Sequence, residues 1–174
     1  LADHDEKKTS ELKKPYIYLR FKDYLKLLQL DTDLIDIAVP THLHKKITVQ
    51  GLNAGNNVIC EKPIALNLED AKAMKRAAIE NHKKLFIGQV LRFFPEYMKI
   101  REKVTRGEVG EPKVIRTFRG GASPASRSEW FCNEEKSGGL LVDMLIHDFD
   151  WLNWTIGRPR SIFCKRRKFK EGRN

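Results

Sequence analysis

Cysteine is scarce in this 174-residue sequence: Cys60, Cys132 and Cys164 are an odd number at wide spacing, with no CxxC pair. That argues against a disulfide framework or a zinc knuckle and makes a reducing compartment, the cytoplasm, the expected location. Long hydrophobic runs are missing as well. No apolar stretch approaches the roughly 18 residues that cross a bilayer, so no membrane partner is expected. There is no internal repeat and no low-complexity tract. Leu1-Ala2-Asp3-His4 carries neither an initiator methionine nor a charged-then-apolar signal segment, from which we expect a processed start or a piece of a longer chain.

What is present is the composition of a globular protein, 41% hydrophobic and 32% charged, in a chain long enough to bury a core. The net charge of +10 invites a nucleic-acid reading. Its distribution argues otherwise. Residues 158–174 hold eight basic side chains against one acid, and the remainder carries 25 basic against 22 acidic. The run Lys165-Arg166-Arg167-Lys168 could neutralise phosphates, but such runs are more often a solvated face. No aromatic residues interleave with it to stack bases, so nucleic acid is not expected as a partner.

Apolar periodicity predicts an α/β protein. A helix is expected over Lys22–Leu30, then a buried strand at Leu34–Val39 stopped by Pro40. A helix from Leu43 to about Ala54 is closed by Gly55 as a left-handed cap. Val58-Ile59-Cys60 reads as a second buried strand, broken by Pro63. Asn67 caps a helix running through Glu80, with Asp70 at its third position, and Leu85–Gly88 gives a third strand. Strand, helix, strand, helix, strand at this spacing implies right-handed crossovers and one parallel sheet. After Arg92 the pattern changes. A helix is expected from Pro95 to about Arg106, a strand over Lys113–Arg119, and a long polar loop over Gly120–Gly139 anchored by Trp130 and Phe131. One helix is expected over Leu140–Ile156 and a strand over Ser161–Phe169.

Two places could carry chemistry. Ligands of open parallel sheets bind beyond the carboxyl ends of the strands. There the first strand runs into Pro40-Thr41-His42-Leu43-His44 and the second into Glu61-Lys62-Pro63. A lysine so placed can present an ammonium to a substrate oxygen, although an ordinary charged turn reads the same way. The second place is the late helix, where Asp143, His147 and Asp150 are spaced to share one face. A carboxylate beside an imidazole fixes its tautomer and raises its basicity, as a general base requires. A surface ion pair or a half-buried histidine would show the same spacing. Gly138-Gly139 would let the backbone pack closely just before this motif.

Taken together, these residues resemble the glucose-fructose oxidoreductase / inositol dehydrogenase / rhizopine-catabolism (Gfo/Idh/MocA) family of NAD(P)-dependent oxidoreductases. The matching stretches are Ile35–His44, Glu61-Lys62-Pro63, Gly88–Phe93, Gly107–Gly110, and Gly138-Gly139 leading to Asp143, His147 and Asp150. The resemblance implies the C-terminal half of a Rossmann parallel sheet over residues 1–92. It implies the beginning of a mixed α+β substrate and dimerisation domain over residues 93–174. By that likeness Lys62 would meet the reacting hydroxyl close to the nicotinamide, His147 would take the hydroxyl proton, and Asp143 would hold a substrate hydroxyl or orient His147. Pro40, Thr41, His44 and Glu61 would line the cofactor, and Asp3 would meet the adenosine ribose and favour NAD, with NADP open because His4 and Lys7 could meet a phosphate. Arg92 and Trp130 would line the substrate pocket or be structural. The implied partners are a polyol or sugar substrate and further copies of the chain in the complete enzyme; no metal is implied.

The sequence departs from the family pattern in holding no GxGxxG among its eleven glycines, the motif that cradles the pyrophosphate. We therefore expect this chain alone to bind dinucleotide poorly. Two other readings compete: a non-catalytic remnant serving as a binding or assembly module, and a zinc hydrolase built on His42-x-His44.

Overall fold

A computed structural model of the chain describes residues 2, 3, 19, 21–121 and 128–165. In chain order the elements are α1 (Tyr24–Leu27), β1 (Leu34–Ile37), α2 (His44–Asn53), β2 (Asn57–Glu61), α3 (Leu68–Glu80), β3 (Leu85–Gly88), α4 (Pro95–Thr105), α5 (Glu134–Ser137), α6 (Gly139–Asp143) and α7 (Ile146–Thr155). Single 3-10 turns lie at Thr41–Leu43, Val90–Phe93 and Glu129–Cys132. The chain divides into two compact units, one of residues 1–89 with 118–146 and one of residues 90–117 with 147–174.

The first unit is built on a parallel sheet of order β1-β2-β3, as the short branched runs separated by helices require. Leu34 stands opposite Asn57 and Ile37 opposite Cys60, while Val58 stands opposite Leu85 and Glu61 opposite Gly88. The crossover helices α2 and α3 run parallel to each other. Lys45 of α2 pairs with Asp70 of α3 at 3.4 Å near their starts, and Asn81, just past α3, donates to Asn53, the last residue of α2, at 2.9 Å. Alternate strand residues Ile35, Ile37, Val58 and Cys60 point into a core with Ile47, Leu52, Met74, Ala77 and Ala78. Fully burying one such Leu, Ile or Met side chain contributes roughly 1.5–3 kcal/mol. Gly51 brings α2 close to the sheet, since a Cβ there would lie 3.3 Å from Val58 Cγ2. Asn67 caps α3 by accepting from the Asp70 amide at 2.8 Å, as its position foretold. At the chain start, Ala2 makes one parallel bridge with Phe21.

The second unit centres on α4 and the part of α7 from His147 onward. Trp151 of α7 is buried, donates from its indole N–H to the Tyr97 carbonyl at 3.3 Å, and meets the Tyr97 ring edge-on at 5.9 Å. Pro95 opens α4, where its missing N–H costs nothing.

Several local expectations are corrected. The helix expected over Leu140–Ile156 is two helices, α6 and α7, separated by a turn at Met144-Leu145. The Leu140 carbonyl accepts from both the Met144 and Leu145 amides, at 3.1 and 3.2 Å, which widens the turn. The Asp143 carbonyl accepts from Lys62 Nζ at 2.7 Å. Asp143, His147 and Asp150 therefore do not share the face of one continuous helix. The loop expected over Gly120–Gly139 is helical in its second half, because Asn133 caps α5 by accepting from the Glu135 and Lys136 amides at 3.0 and 3.2 Å; residues 122–127 lie outside the described residues. No strand forms over Lys113–Arg119. Branched residues alone do not hold a strand without a paired neighbour, and Phe118 is 96% exposed. Residues 161–165 likewise form no strand, and the rest of the strand expected to Phe169 lies outside the described residues.

Candidate functional site

The carboxyl ends of β1 and β2 place two loops side by side, 40–43 and 62–66. Glu61 ends β2, and its carboxylate accepts from the Lys62 amide at 3.1 Å. Gly88, its partner in register, leaves room for that carboxylate: a Cβ there would come within 3.1 Å of Glu61 Oε2. The Lys62–Pro63 peptide is cis and Pro63 is buried.

Lys62 reaches from this loop to the end of α6. Its Nζ donates to the Asp143 carbonyl at 2.7 Å and to Asp143 Oδ1 at 3.1 Å. The two side chains are 20% and 12% exposed, so the pair is largely shielded yet open enough for a ligand to approach. An ammonium has three donors; two are engaged by Asp143, which leaves one for a ligand oxygen. Gly138 stands at the N-cap of α6. It adopts φ +76°, and a Cβ there would fall 2.7 Å from Val142 Cβ of the same helix, whereas a Cβ at Gly139 would make only ordinary contact, 3.6 Å from Glu134 Cγ.

The remaining candidates are placed as follows. Thr41 is buried in the 3-10 turn after Pro40. His44, the first residue of α2, is 1% exposed. Its Nδ1 lies 2.8 Å from the Pro63 carbonyl oxygen and its Nε2 lies 2.9 Å from that of Val39. Both nitrogens of His44 therefore face main-chain carbonyls inside the protein, so neither is open to a zinc ion shared with His42. Among the described residues no group of three or more His, Cys, Asp or Glu could hold a metal ion. Asp3 donates its amide to the Phe21 carbonyl at 3.2 Å; His4 and Lys7 lie outside the described residues. Trp130 stacks on Phe131 with ring centroids 3.9 Å apart.

In the second unit Arg92 is gripped by Asp150 through both oxygens, Nε at 2.8 Å and Nη2 at 2.6 Å. It also sits over the Trp154 ring. The hydrogen bonds it donates to Asp150 hold the guanidinium pKa above its ordinary value. His147 lies in the first turn of α7 and is half-buried.

Gln89 was not singled out by sequence reasoning. It follows Gly88 directly, so it leaves the sheet beside Lys62, and its side-chain Oε1 is buried with no hydrogen-bond partner. The available signal was a polar residue immediately after a buried strand. Cys60 lies behind this edge, wholly buried, and burial pushes its thiol up to about 11. A groove of about 350 Å³ runs along α2 and α3 past Lys45, Val49, Arg76 and Glu80, and holds none of the candidate residues.

Residues 1–89 match the family model described as oxidoreductase family, NAD-binding Rossmann fold, and residues 97–174 match the GFO/IDH/MocA C-terminal domain. The chain belongs to the Gfo/Idh/MocA oxidoreductase family. Among members of that family, the myo-inositol 2-dehydrogenase of Thermotoga maritima is 32% identical over 164 residues, 90% of this chain and 46% of the relative. The crystal structure of a probable dehydrogenase from Thermotoga maritima superposes with a TM-score of 0.76 at 30% identity, over 91% of this chain and 47% of that one. The WlbA (WbpB) dehydrogenase of Thermus thermophilus, solved with NAD and UDP-GlcNAcA, gives a TM-score of 0.63 at 29% identity, over 72% and 41%. The chain spans under half the length of the curated relatives it matches.

The fold class read from the sequence agrees with these Gfo/Idh/MocA structures: a parallel sheet with crossover helices of the Rossmann type. The strand ends suit the nicotinamide end of the family's dinucleotide. A carboxamide brings an N–H donor group, and Gln89 Oε1, just past the end of β3, is a buried acceptor with no hydrogen-bond partner. For the pyrophosphate the 174 residues hold no GxGxxG.

Proposed function

We propose that this chain serves as part of an NAD-dependent dehydrogenase that moves hydride between a nicotinamide and a hydroxyl carbon of a polyol or sugar. Residues 1–92 serve the cofactor and residues 93–174 the substrate. The observation that carries the reading is the Lys62 ammonium, fixed at the carboxyl end of β2 by Asp143 with one donor left.

When bound, the nicotinamide supplies the hydride acceptor. Lys62 donates its remaining N–H to the reacting hydroxyl oxygen, which orients that hydroxyl and stabilises the negative charge it gains as its proton departs. His147 accepts that proton at a ring nitrogen. Asp143 holds the ammonium in place and, through its second oxygen, can accept from a neighbouring substrate hydroxyl. Glu61, Pro40 and Thr41 shape the cofactor edge, Asp3 meets the adenosine ribose, and Arg92 and Trp130 bound the substrate. The substrate class is supported by relatives named for inositol oxidation, which favours catalysis over a binding module. The three free cysteines suit the cytoplasm, and exposed Val114, Ile162 and Phe163 suit assembly with further copies.

The test is NAD reduction by the protein from its natural source, followed by absorbance against a panel of inositols and aldoses. Turnover of at least one polyol or aldose is expected. No turnover across the panel, with NAD binding intact, would contradict the substrate class.

A further inference from the structure

We propose that His44 is a positioning residue that holds Lys62 in place by gripping the main chain of its loop, and that it serves the cofactor edge without touching the cofactor. The inference rests on the reading of Lys62 as the donor to the reacting hydroxyl. His44 is 1% exposed, so no ligand atom can reach its ring without displacing protein. Its two nitrogens face two carbonyls that belong to different loops. Pro63 follows Lys62, and Val39 precedes Pro40 and Thr41. A neutral ring carries one proton, and with that proton on Nδ1 it donates to the Pro63 carbonyl, which ties the start of α2 to the loop that carries Lys62.

The Pro63 carbonyl is the contact that matters for Lys62. It lies one residue along the main chain from the ammonium's own Cα. Hydrogen bonds at the two ends of the residue then set where Nζ can go: Glu61 accepts from the Lys62 amide, and His44 takes the carbonyl beyond it. Without the second anchor the Lys62 main chain is free to turn, and the two contacts of Nζ with Asp143 are no longer held. His44 thereby acts on Lys62 through the backbone.

The two nitrogens can be tested separately. The amide nitrogen of asparagine falls near the position of a histidine Nδ1, and that of glutamine near Nε2. His44→Asn therefore keeps the donor toward Pro63, His44→Gln offers a donor only toward Val39, and His44→Phe keeps ring volume with neither. The readout is the acylation rate of Lys62 in the folded chain under limiting acetic anhydride, measured by peptide mass spectrometry against exposed Lys75. Asp143→Asn sets the rate expected when the ammonium loses its carboxylate with His44 untouched.

We expect His44→Asn to leave Lys62 as protected as in the wild type. His44→Gln and His44→Phe should raise its rate relative to Lys75 on the order of fivefold, as losing one net hydrogen bond implies. Equal Lys62 rates in the Asn and Gln variants would overturn the proposal, as would wild-type rates in all three. Loss of the folded circular dichroism signal in all three would also overturn it, in favour of a purely structural histidine. The label needs neither cofactor nor turnover, so its outcome is independent of whether the protein proves to be a dehydrogenase.

Discussion

Lys62 and Asp143, 81 residues apart in sequence, are joined twice: the ammonium donates to the aspartate's carboxylate at 3.1 Å and to its main-chain carbonyl at 2.7 Å. The double contact ties the end of β2 to the end of α6 and coincides with the interruption of the late helix. A side-chain contact alone would fix a charge. The added carbonyl contact fixes the backbone that carries it.

The pair should therefore behave as a unit. Lys62→Met and Asp143→Asn should each lower stability by about 1–3 kcal/mol, with partial loss because the pair is not fully buried. The double variant should lose less than the sum, with a coupling of at least about 0.5 kcal/mol. Urea unfolding of the four proteins measures this; strict additivity would mean that the contact contributes nothing.

Gly138→Ala should cost about 1–3 kcal/mol, because the residue sits at φ +76° and its new Cβ would meet Val142 Cβ at 2.7 Å. Gly55→Ala has the φ strain alone, with no atom within 4 Å of the added carbon, so it should cost less. Comparing the two melting curves separates packing from backbone strain.

Gln89→Leu should leave stability unchanged or raise it by about 1 kcal/mol, since it removes a buried acceptor that has no partner. Most core polar-to-apolar changes that break a hydrogen bond go the other way, so a marked fall in the urea midpoint would show that the amide oxygen is satisfied. If the nicotinamide edge lies here, the same variant should weaken NAD binding while the fold gains.

Cys60 predicts an alkaline limit to stability. Its thiol titrates at about 11 in the folded chain against an ordinary value of 9.0. The stabilisation by the buried neutral thiol is fully present below about pH 9 and is lost as pH rises toward 11, an effect on the order of 2 kcal/mol. Cys60→Ala should flatten that part of the stability profile. In the native protein a thiol reagent should modify exposed Cys132 and Cys164 quickly and spare Cys60 until the chain unfolds.

The fold was legible where the signals are local. The strands at Leu34–Ile37, Asn57–Glu61 and Leu85–Gly88, the Asn67 cap and the Gly55 stop each follow from a few adjacent residues. The break between α6 and α7 was not legible, because it accompanies a contact with Lys62, 81 residues away. The absent strand at Lys113–Arg119 has a related cause, since apolar alternation shows a propensity to pair and not the presence of a partner. Lys62 and Asp143 were each singled out by motif, but their contact with each other was not. The carboxylate that sequence spacing set beside His147 is occupied with an ammonium. His44 was singled out for the right edge of the sheet, while the carbonyls that its ring faces could be seen only in the folded chain.

The most direct test of the dehydrogenase account is the steady-state rate of polyol oxidation by Lys62→Met and His147→Asn in the protein from its natural source. Each variant should bind NAD as the wild type does and lose roughly 10²-fold or more in kcat. Rates within a few-fold of wild type for both variants would contradict the roles assigned to Lys62 and His147.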